Sequence, residues 1–321
     1  MEYARLGADG PLVSRVGFGC EPLGGTDWGA VDARQAEAAV RRALELGVTL
    51  FDTADAYGLG RSEEALSAAL AERRHDAVIV SKFGIAWEHA GDGRARTWKD
   101  ASPARVTAAL EASLRRLRVD RIPVYLVHWP DGATPVEATM EALARQVEGG
   151  KVGWVGLSNF AAPEVRRAHA AFPLAAVECE YGLLAREAEA ELLPACAELG
   201  VGVLAYGALA QGLLTGKYRA DARFGADDRR HRLPRFQGEA LSRGLETADR
   251  LAEAGAAVGA TPAQLALRWA LEGPAVAAVI AGAKTPAQAE ANAAAAGLAL
   301  PPGLERPPEL VPSAAPPPRA P

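Results

Sequence analysis

The chain has 321 residues, 49% of them hydrophobic and 23% charged, with a formal net charge of −5. That apolar content sustains a sizeable buried core and excludes a disordered body. The acidic balance excludes phosphate-backbone binding as the main task, because nucleic-acid binders present a basic face.

In chain order, residues 3–6, the turn GADG and Leu12-Val13 predict a short hairpin able to plug the bottom of a barrel. Short apolar runs follow at residues 16–20, 49–52, 78–82, 124–128, 152–158, 176–180, 201–206 and 276–280, and they read as eight strands. Helical period fills much of the space between them, as at 33–46, 63–73, 103–117, 135–148 and 188–199. Helix starts are legible in Thr134-Pro135-Val136-Glu137, Thr261-Pro262-Ala263-Gln264 and Thr285-Pro286-Ala287-Gln288. Each combines an N-cap hydroxyl, proline at the first helical position and a carboxylate or amide at the third. Ser102-Pro103 opens another. Strand and helix alternating eight times, over roughly 250 residues, predict an α/β fold, a (β/α)8 TIM barrel with chemistry at the carboxyl ends of its strands.

No linker divides this pattern, so one barrel domain is expected over residues 1–300. Residues 301–321, PPGLERPPELVPSAAPPPRAP, hold too much proline for helix or sheet and predict a disordered or extended tail. The stretch 211–237 after the seventh strand is long enough to fold over a ligand. Within it the basic cluster Arg229 to Arg232 lies beside Asp227 and Asp228 and reads as a solvated loop. Cys20, Cys179 and Cys196 form an odd set without Cys-x-x-Cys spacing, which suits reduced thiols serving as packing residues. The first residues lack a basic leader before an apolar core, and no apolar run approaches the roughly 18 residues of a membrane span, so a cytoplasmic location is expected.

Three polar groups stand where apolar runs stop: Asp52 opens DTADAYG, Lys82 closes VIVSK and His128 closes VYLVH. With Tyr57 they bring carboxylate, phenol, ammonium and imidazole to one rim, a set suited to proton transfer at a substrate oxygen. A phenol with a pKa near 10 is a sluggish acid at neutral pH, and an adjacent lysine that favours the phenolate corrects this, with Asp52 keeping the lysine charged. Each residue also has a plainer reading: a turn-forming aspartate, a strand-end lysine, a core histidine, a packing ring. Their coincidence at strand ends favours function.

These motifs resemble those of the aldo-keto reductases from Arg5 to about Leu300. DTADAYGLGRSEEAL is similar to the family signature around its aspartate and tyrosine, VSKFG to its lysine strand, VHWPD to its histidine strand and GKVGWVGLSNF to its fifth-strand motif. The resemblance implies a tetrad of Asp52, Tyr57, Lys82 and His128, with Tyr57 as general acid, and a nicotinamide cofactor bound without a Rossmann fold. In keeping with that, GFGCEP and GLGRSE each lack the third glycine of the dinucleotide fingerprint, and there is no Walker-type loop.

The resemblance further implies that Ser158 and Asn159 hold the nicotinamide carboxamide and Tyr206 stacks on the ring. The stretch that follows, with Gly207, Ala208, Leu209, Gln211, Gly212, Thr215 and Lys217, would cradle the pyrophosphate. Gly282, Lys284, Gln288 and Asn292 match positions at the adenine end. Five positions depart from the family pattern. Glu178 replaces a usual glutamine, Gly207-Ala208 a common Ser-Pro, Gln288 an arginine that often grips the 2′-phosphate, and Ala291 a frequent glutamate. With Lys284 still cationic, NADP(H) with tolerance of NAD(H) is the expectation. A charged Glu178 would favour the oxidised ring.

The expected reaction is reduction of aldehydes or ketones to alcohols, or the reverse on a small sugar or alcohol, with Trp28, Trp87 and Trp129 walling the substrate pocket. No metal is expected from five scattered histidines. The alternatives are a nucleotide-binding regulatory subunit of the kind this fold supplies to membrane channels, or an unrelated barrel enzyme such as an isomerase. Substrate identity, direction and oligomeric state are not legible.

Overall fold

The structure is a computed structural model and describes residues 1–89 and 95–304, so all but the first four residues of the expected proline-rich tail lie outside the described residues. β1 (Tyr3–Arg5) and β2 (Leu12–Ser14) pair antiparallel as the expected N-terminal hairpin. β3 (Val16–Gly19), β4 (Leu50–Asp52) and β5 (Val78–Phe83) begin the barrel. β6 (Ile85–His89) and β7 (Ala95–Lys99) form a second hairpin. β8 (Ile122–Val127), β9 (Val152–Ser158), β10 (Ala176–Glu180), β11 (Gly202–Tyr206) and β12 (Val276–Gly282) complete the barrel. The eight barrel strands are parallel, neighbour one another in chain order, and close where β12 pairs with β3.

Around them stand α1 (Ala33–Glu45), α2 (Arg61–Leu70), α3 (Pro103–Leu117), α4 (Val136–Glu148), α5 (Ala162–Ala171), α6 (Leu192–Leu199), α7 (Gly238–Ala256), α8 (Pro262–Leu271) and α9 (Pro286–Ala294). In α1, Ala36, Ala39, Val40, Ala43 and Leu44 recur at helical spacing and are buried, and the Asp32 side chain accepts from the Arg34 and Gln35 amides to start the helix. Ser102, Thr261 and Thr285 cap α3, α8 and α9 as expected. Thr134 does not cap α4. Its hydroxyl donates to Asp131 Oδ2 at 2.7 Å, and Pro135 takes the cap position, because Asp131 already accepts from the Ala133 and Thr134 amides in a local turn.

Two helices are shorter than their periodicity suggests. Residues 71–76 tighten into a 3₁₀ turn after α2, and α6 begins at Leu192, which places Pro194 in its first turn where a missing N–H is tolerated. The long stretch after β11 holds only 3₁₀ turns before α7. The basic cluster in it is not simply solvated: Arg230 is buried, forks onto Asp228 and reaches the Tyr218 hydroxyl. Burial of a guanidinium demands such partners, and Asp228 supplies them.

The core has two parts. Leu50, Val80, Val124, Leu126, Leu204 and Ile280 fill the barrel, joined by Leu6 and Val13 of the hairpin. Phe51, Ile79, Phe83 and Tyr125 belong to the larger apolar layer between barrel and helices. Side chains alternate across each strand, so Asp52 continues the inward row of Leu50, and Lys82 that of Val80. The closing hairpin seats tightly, since a Cβ on Gly202 would lie 2.5 Å from the Gly7 nitrogen.

Candidate active site

Strand alternation and register assemble one half of the site. β4, β5 and β8 are consecutive in the barrel, with Asp52 opposite Val80 and Lys82 opposite Leu126. Lys82 is fully buried, and its Nζ donates to Asp52 Oδ1 at 2.6 Å and to the Thr53 carbonyl at 3.1 Å. The same nitrogen is 3.3 Å from Tyr57 Oη and 3.4 Å from Glu178 Oε1. His128, whose amide donates to the Phe83 carbonyl, sets its ring edge-to-face with Tyr57 at 5.6 Å between centroids. Thus Asp52, Tyr57, Lys82 and His128 meet at one rim.

Tyr57 is seated by a glycine contact that sequence reasoning missed. A Cβ on Gly24 would stand 2.7 Å from the Gly58 nitrogen and 2.9 Å from the Tyr57 carbonyl carbon, and Gly58 itself has φ of +59°. Only two glycines allow these backbones to touch. The doublet in EPLGG was the available signal, but a glycine does not announce its partner.

Charge in the site is closely matched. Burial alone would push the Lys82 ammonium down, but Asp52, Glu178 and Tyr57 outweigh it and hold the lysine well above its ordinary value, so it stays charged. Burial and then the Lys82 cation drive His128 well below the ordinary imidazole value, leaving a neutral ring whose Nδ1 is buried without a partner. For Tyr57, burial dominates and raises the phenol well above its ordinary value. Lys82 opposes this, while Asp52, Glu21 and Glu178 add to it. The expected lysine contact is therefore present and acts in the expected sense, but burial, with the nearby carboxyls adding to it, leaves Tyr57 a protonated phenol. Burial and Asp52 likewise raise Glu178 well above the carboxylate range against the pull of Lys82. That direction favours the neutral acid over the charged Glu178 expected from the sequence.

The other half of the rim is a chain of hydrogen bonds. Tyr206 Oη donates to Asn159 Oδ1 at 2.7 Å, and Asn159 Nδ2 donates to the His128 carbonyl and to Ser158 Oγ, each at 3.0 Å. Beyond β11, Gly207 turns left-handed at φ of +75°, ahead of Ala208 and Leu209, and then Ala210, Gln211 and Gly212 adopt φ of +48°, +54° and +92° in succession. Such a run is strained for residues other than glycine and is typical of ligand clamps. Lys284 Nζ donates to the Trp28 carbonyl, the Lys284 backbone N–H donates to Gln288 Oε1 at 2.8 Å, and Asn292 Nδ2 donates to the Gly282 carbonyl. The long loop clasps the loop after β3: Arg229 bonds Glu21, its amide donates to the Asp27 carbonyl, and Trp28 bridges to Asp228.

A pyridine dinucleotide fits this half. Lys217 is pulled down by burial and by the nearby Arg230 and Lys284 charges, and Lys284 by burial and Arg230, which is the signature of cations gathered with too little anion between them. Gln211 Oε1 is buried without a partner beside the strained turn. Of the three tryptophans, Trp129 follows His128 and carries Lys99 over its ring at 4.6 Å, while Trp28 lies under Arg229 at 4.7 Å. Trp87 instead sits between the guanidiniums of Arg105 and Arg116 on α3, against the helical layer. Among the described residues no helix is long and apolar enough to cross a membrane, and no group of three or more side chains has metal-ligating geometry.

A closed eight-stranded parallel barrel with phenol, ammonium and imidazole gathered on one rim has the build of an NAD(P)-dependent oxidoreductase, and the comparisons with known proteins agree. The chain belongs to the aldo/keto reductase family, whose model matches residues 15–302. It is 35% identical over 303 residues to aldo-keto reductase YhdN of Bacillus subtilis (strain 168), covering 94% of this chain and 90% of that one. It is also 35% identical over 274 residues to probable aldo-keto reductase 1 of Glycine max, covering 85% and 78%. Among solved structures it is similar to the glycerol dehydrogenase AKR11B4 from Gluconobacter oxydans, with a TM-score of 0.85, 34% identity and coverage of 93% and 90%. The aldo-keto reductase AKR11C1 from Bacillus halodurans in its holo form gives 0.77, 28%, 95% and 94%. Membership means NAD(P)H-dependent carbonyl reduction, and relatives bearing reductase and dehydrogenase names do not favour a regulatory-subunit reading.

Proposed function

We propose that the chain reduces an aldehyde or ketone to the alcohol, with Tyr57 as the proton donor to the carbonyl oxygen. The observation that carries this reading is the buried relay Asp52–Lys82–Tyr57, with contacts of 2.6 and 3.3 Å. Asp52 and the Thr53 carbonyl fix the ammonium so that it faces Tyr57 Oη. Tyr57 begins protonated and ready to donate, and as it gives up its proton the nascent phenolate is held by the Lys82 charge. Each pKa unit of that assistance is worth about 1.4 kcal/mol. Neutral His128, beside Tyr57, orients the carbonyl oxygen without competing as an acid. When bound, a nicotinamide dinucleotide supplies the hydride.

The dinucleotide would lie from Ser158 and Asn159, holding the carboxamide, over Tyr206 and along the Gly207–Lys217 turn. Lys284, with Gln288 and Asn292 nearby, would take the adenosine end. Lys284 supports NADP(H) as preferred and NAD(H) as tolerated. Trp28, Trp87 and Trp129 would border the substrate, Trp87 with the Arg105 guanidinium 5.5 Å from its ring. The shared fold with a glycerol dehydrogenase puts small polyols among the alcohols to try in the oxidising direction. We read residues 1–300 as one reductase domain followed by a tail, working in the cytoplasm.

Consumption of NADPH with aromatic and aliphatic aldehydes, ketones and sugars, repeated with NADH, tests the reaction and the preference. Tyr57→Phe keeps the ring and removes the proton. Turnover should fall by a factor on the order of 10² to 10⁴ while dinucleotide affinity persists. Wild-type turnover in that variant removes Tyr57 from the mechanism.

A further inference from the structure

Lys82 faces two carboxyl groups with one positive charge. Asp52 takes the short contact at 2.6 Å, and Glu178 Oε1 stands at 3.4 Å from the same nitrogen and at 3.4 Å from the Ser158 hydroxyl oxygen. Glu178 points inward from β10, where the ladder sets it opposite Ser158 on β9 and Leu204 on β11, and it is 3% exposed. Its other oxygen, Oε2, is buried without a hydrogen-bond partner. An ionised carboxylate in that position would have one long cation contact, one long hydroxyl contact and a bare oxygen, which is a costly way to bury charge. The ammonium is already matched by Asp52.

The groups around Glu178 leave the same charge count. Asp52 on β4 and Lys82 on β5 face it, and Tyr57 beyond β4 is a neutral phenol that also touches the lysine. His128 after β8 is neutral, Ser158 on β9 is uncharged, and Tyr206 on β11 is hydrogen-bonded to Asn159. Cys179, next on its own strand, belongs to the apolar layer between barrel and helices. With the one cation already in close contact with Asp52, Glu178 is favoured as the neutral acid.

We propose that Glu178 is held as a carboxylic acid beside the Asp52–Lys82 pair, and that binding of the oxidised dinucleotide, but not the reduced one, releases its proton to solvent. The inference rests on the reading above that the nicotinamide end lies at Ser158 and Asn159. The oxidised ring carries a positive charge and the reduced ring does not. A second cation beside the pair restores the value of a second carboxylate, so Glu178 passes from carboxylic acid to carboxylate and the proton leaves to water. The departure of this chain from glutamine at position 178 then makes its preference between the two redox forms depend on pH. Affinity for the oxidised form rises by up to about tenfold per pH unit wherever Glu178 is protonated in the free protein, while affinity for the reduced form stays level.

The full chain is titrated calorimetrically with NADP⁺ and with NADPH, each in two buffers of different ionisation enthalpy. The wild type should release up to about one proton per site with NADP⁺ and close to none with NADPH, and Glu178→Gln should release none with either. Equal proton counts for the two forms, or release that persists in Glu178→Gln, overturns the proposal while leaving dinucleotide binding intact. Heat from neither form overturns both it and the binding reading. In the ligand-free protein, an infrared carbonyl band of a protonated carboxyl should vanish in Glu178→Gln, and its absence from the wild type also overturns the protonated Glu178.

Discussion

Asp55 offers a test in which the sign of the effect is opposite to that of an ordinary ion pair. It lies two residues before Tyr57, is fully buried, and neither of its oxygens has a hydrogen-bond partner. Burial and the nearby Glu63 carboxyl push it from 3.8 up to about 8, against the pull of Arg105, Arg116 and the Ala56 amide. Arg105 approaches only to 3.5 Å. Between those two values the folded protein keeps a proton that the unfolded chain has lost, so stability falls as pH rises through that window. The slope is about 1.4 kcal/mol per pH unit, with a ceiling of about 6 kcal/mol across the window. Asp55→Asn cannot ionise and escapes this loss. In urea unfolding from about pH 5 to about pH 9, the variant should gain on the wild type by about 1.4 kcal/mol per unit and level off above about pH 8. Parallel curves, or an asparagine variant less stable at pH 8, would mean that Asp55 is ionised and paired with Arg105, and would refute the reasoning.

Gly24→Ala drives a Cβ into the Gly58 and Tyr57 backbone, 2.7 and 2.9 Å away, so it should cost about 1–3 kcal/mol in unfolding experiments and lower kcat more than it raises KM. An alanine variant with unchanged kcat would show that the two loops yield without moving Tyr57. Lys284→Met should weaken NADPH binding by about tenfold or more and leave NADH nearly unchanged, measured by fluorescence titration, with Lys284→Arg restoring much of the loss. Equal weakening of both dinucleotides would place Lys284 away from the 2′-phosphate.

The barrel was legible because each barrel strand is a short apolar run, several of them ending at a polar residue, and because proline and a capping hydroxyl mark several helix starts. Asp52, Lys82 and His128 could be read from those run endings, and Tyr57 from its neighbours. The second hairpin, β6 and β7, was not legible: Ile85 to Lys99 mixes aromatic, charged and glycine residues with no clean alternation. Thr134 looked like a cap, but the residue that captures its hydroxyl, Asp131, lies upstream of the motif. Arg230 looked solvated because sequence shows the charges beside it and not the Tyr218 hydroxyl and aromatic rings that fold over it. Net protonation was the least legible property. The state of Tyr57 and Glu178 depends first on their burial and then on how many carboxyls surround one lysine, and β10 contributes its carboxyl from nearly a hundred residues downstream of Lys82.

Pairing of β12 with β3 means that the sheet acquires its last neighbour only when residues 276–282 have arrived, some 260 residues after β3 was made. Until then β3 and β11 each present a bare row of backbone donors and acceptors. A nascent or truncated chain ending before Val276 therefore carries two adhesive margins, and its hazard is joining to another copy of itself. Synthesis of the final strand is the event that renders the molecule self-contained.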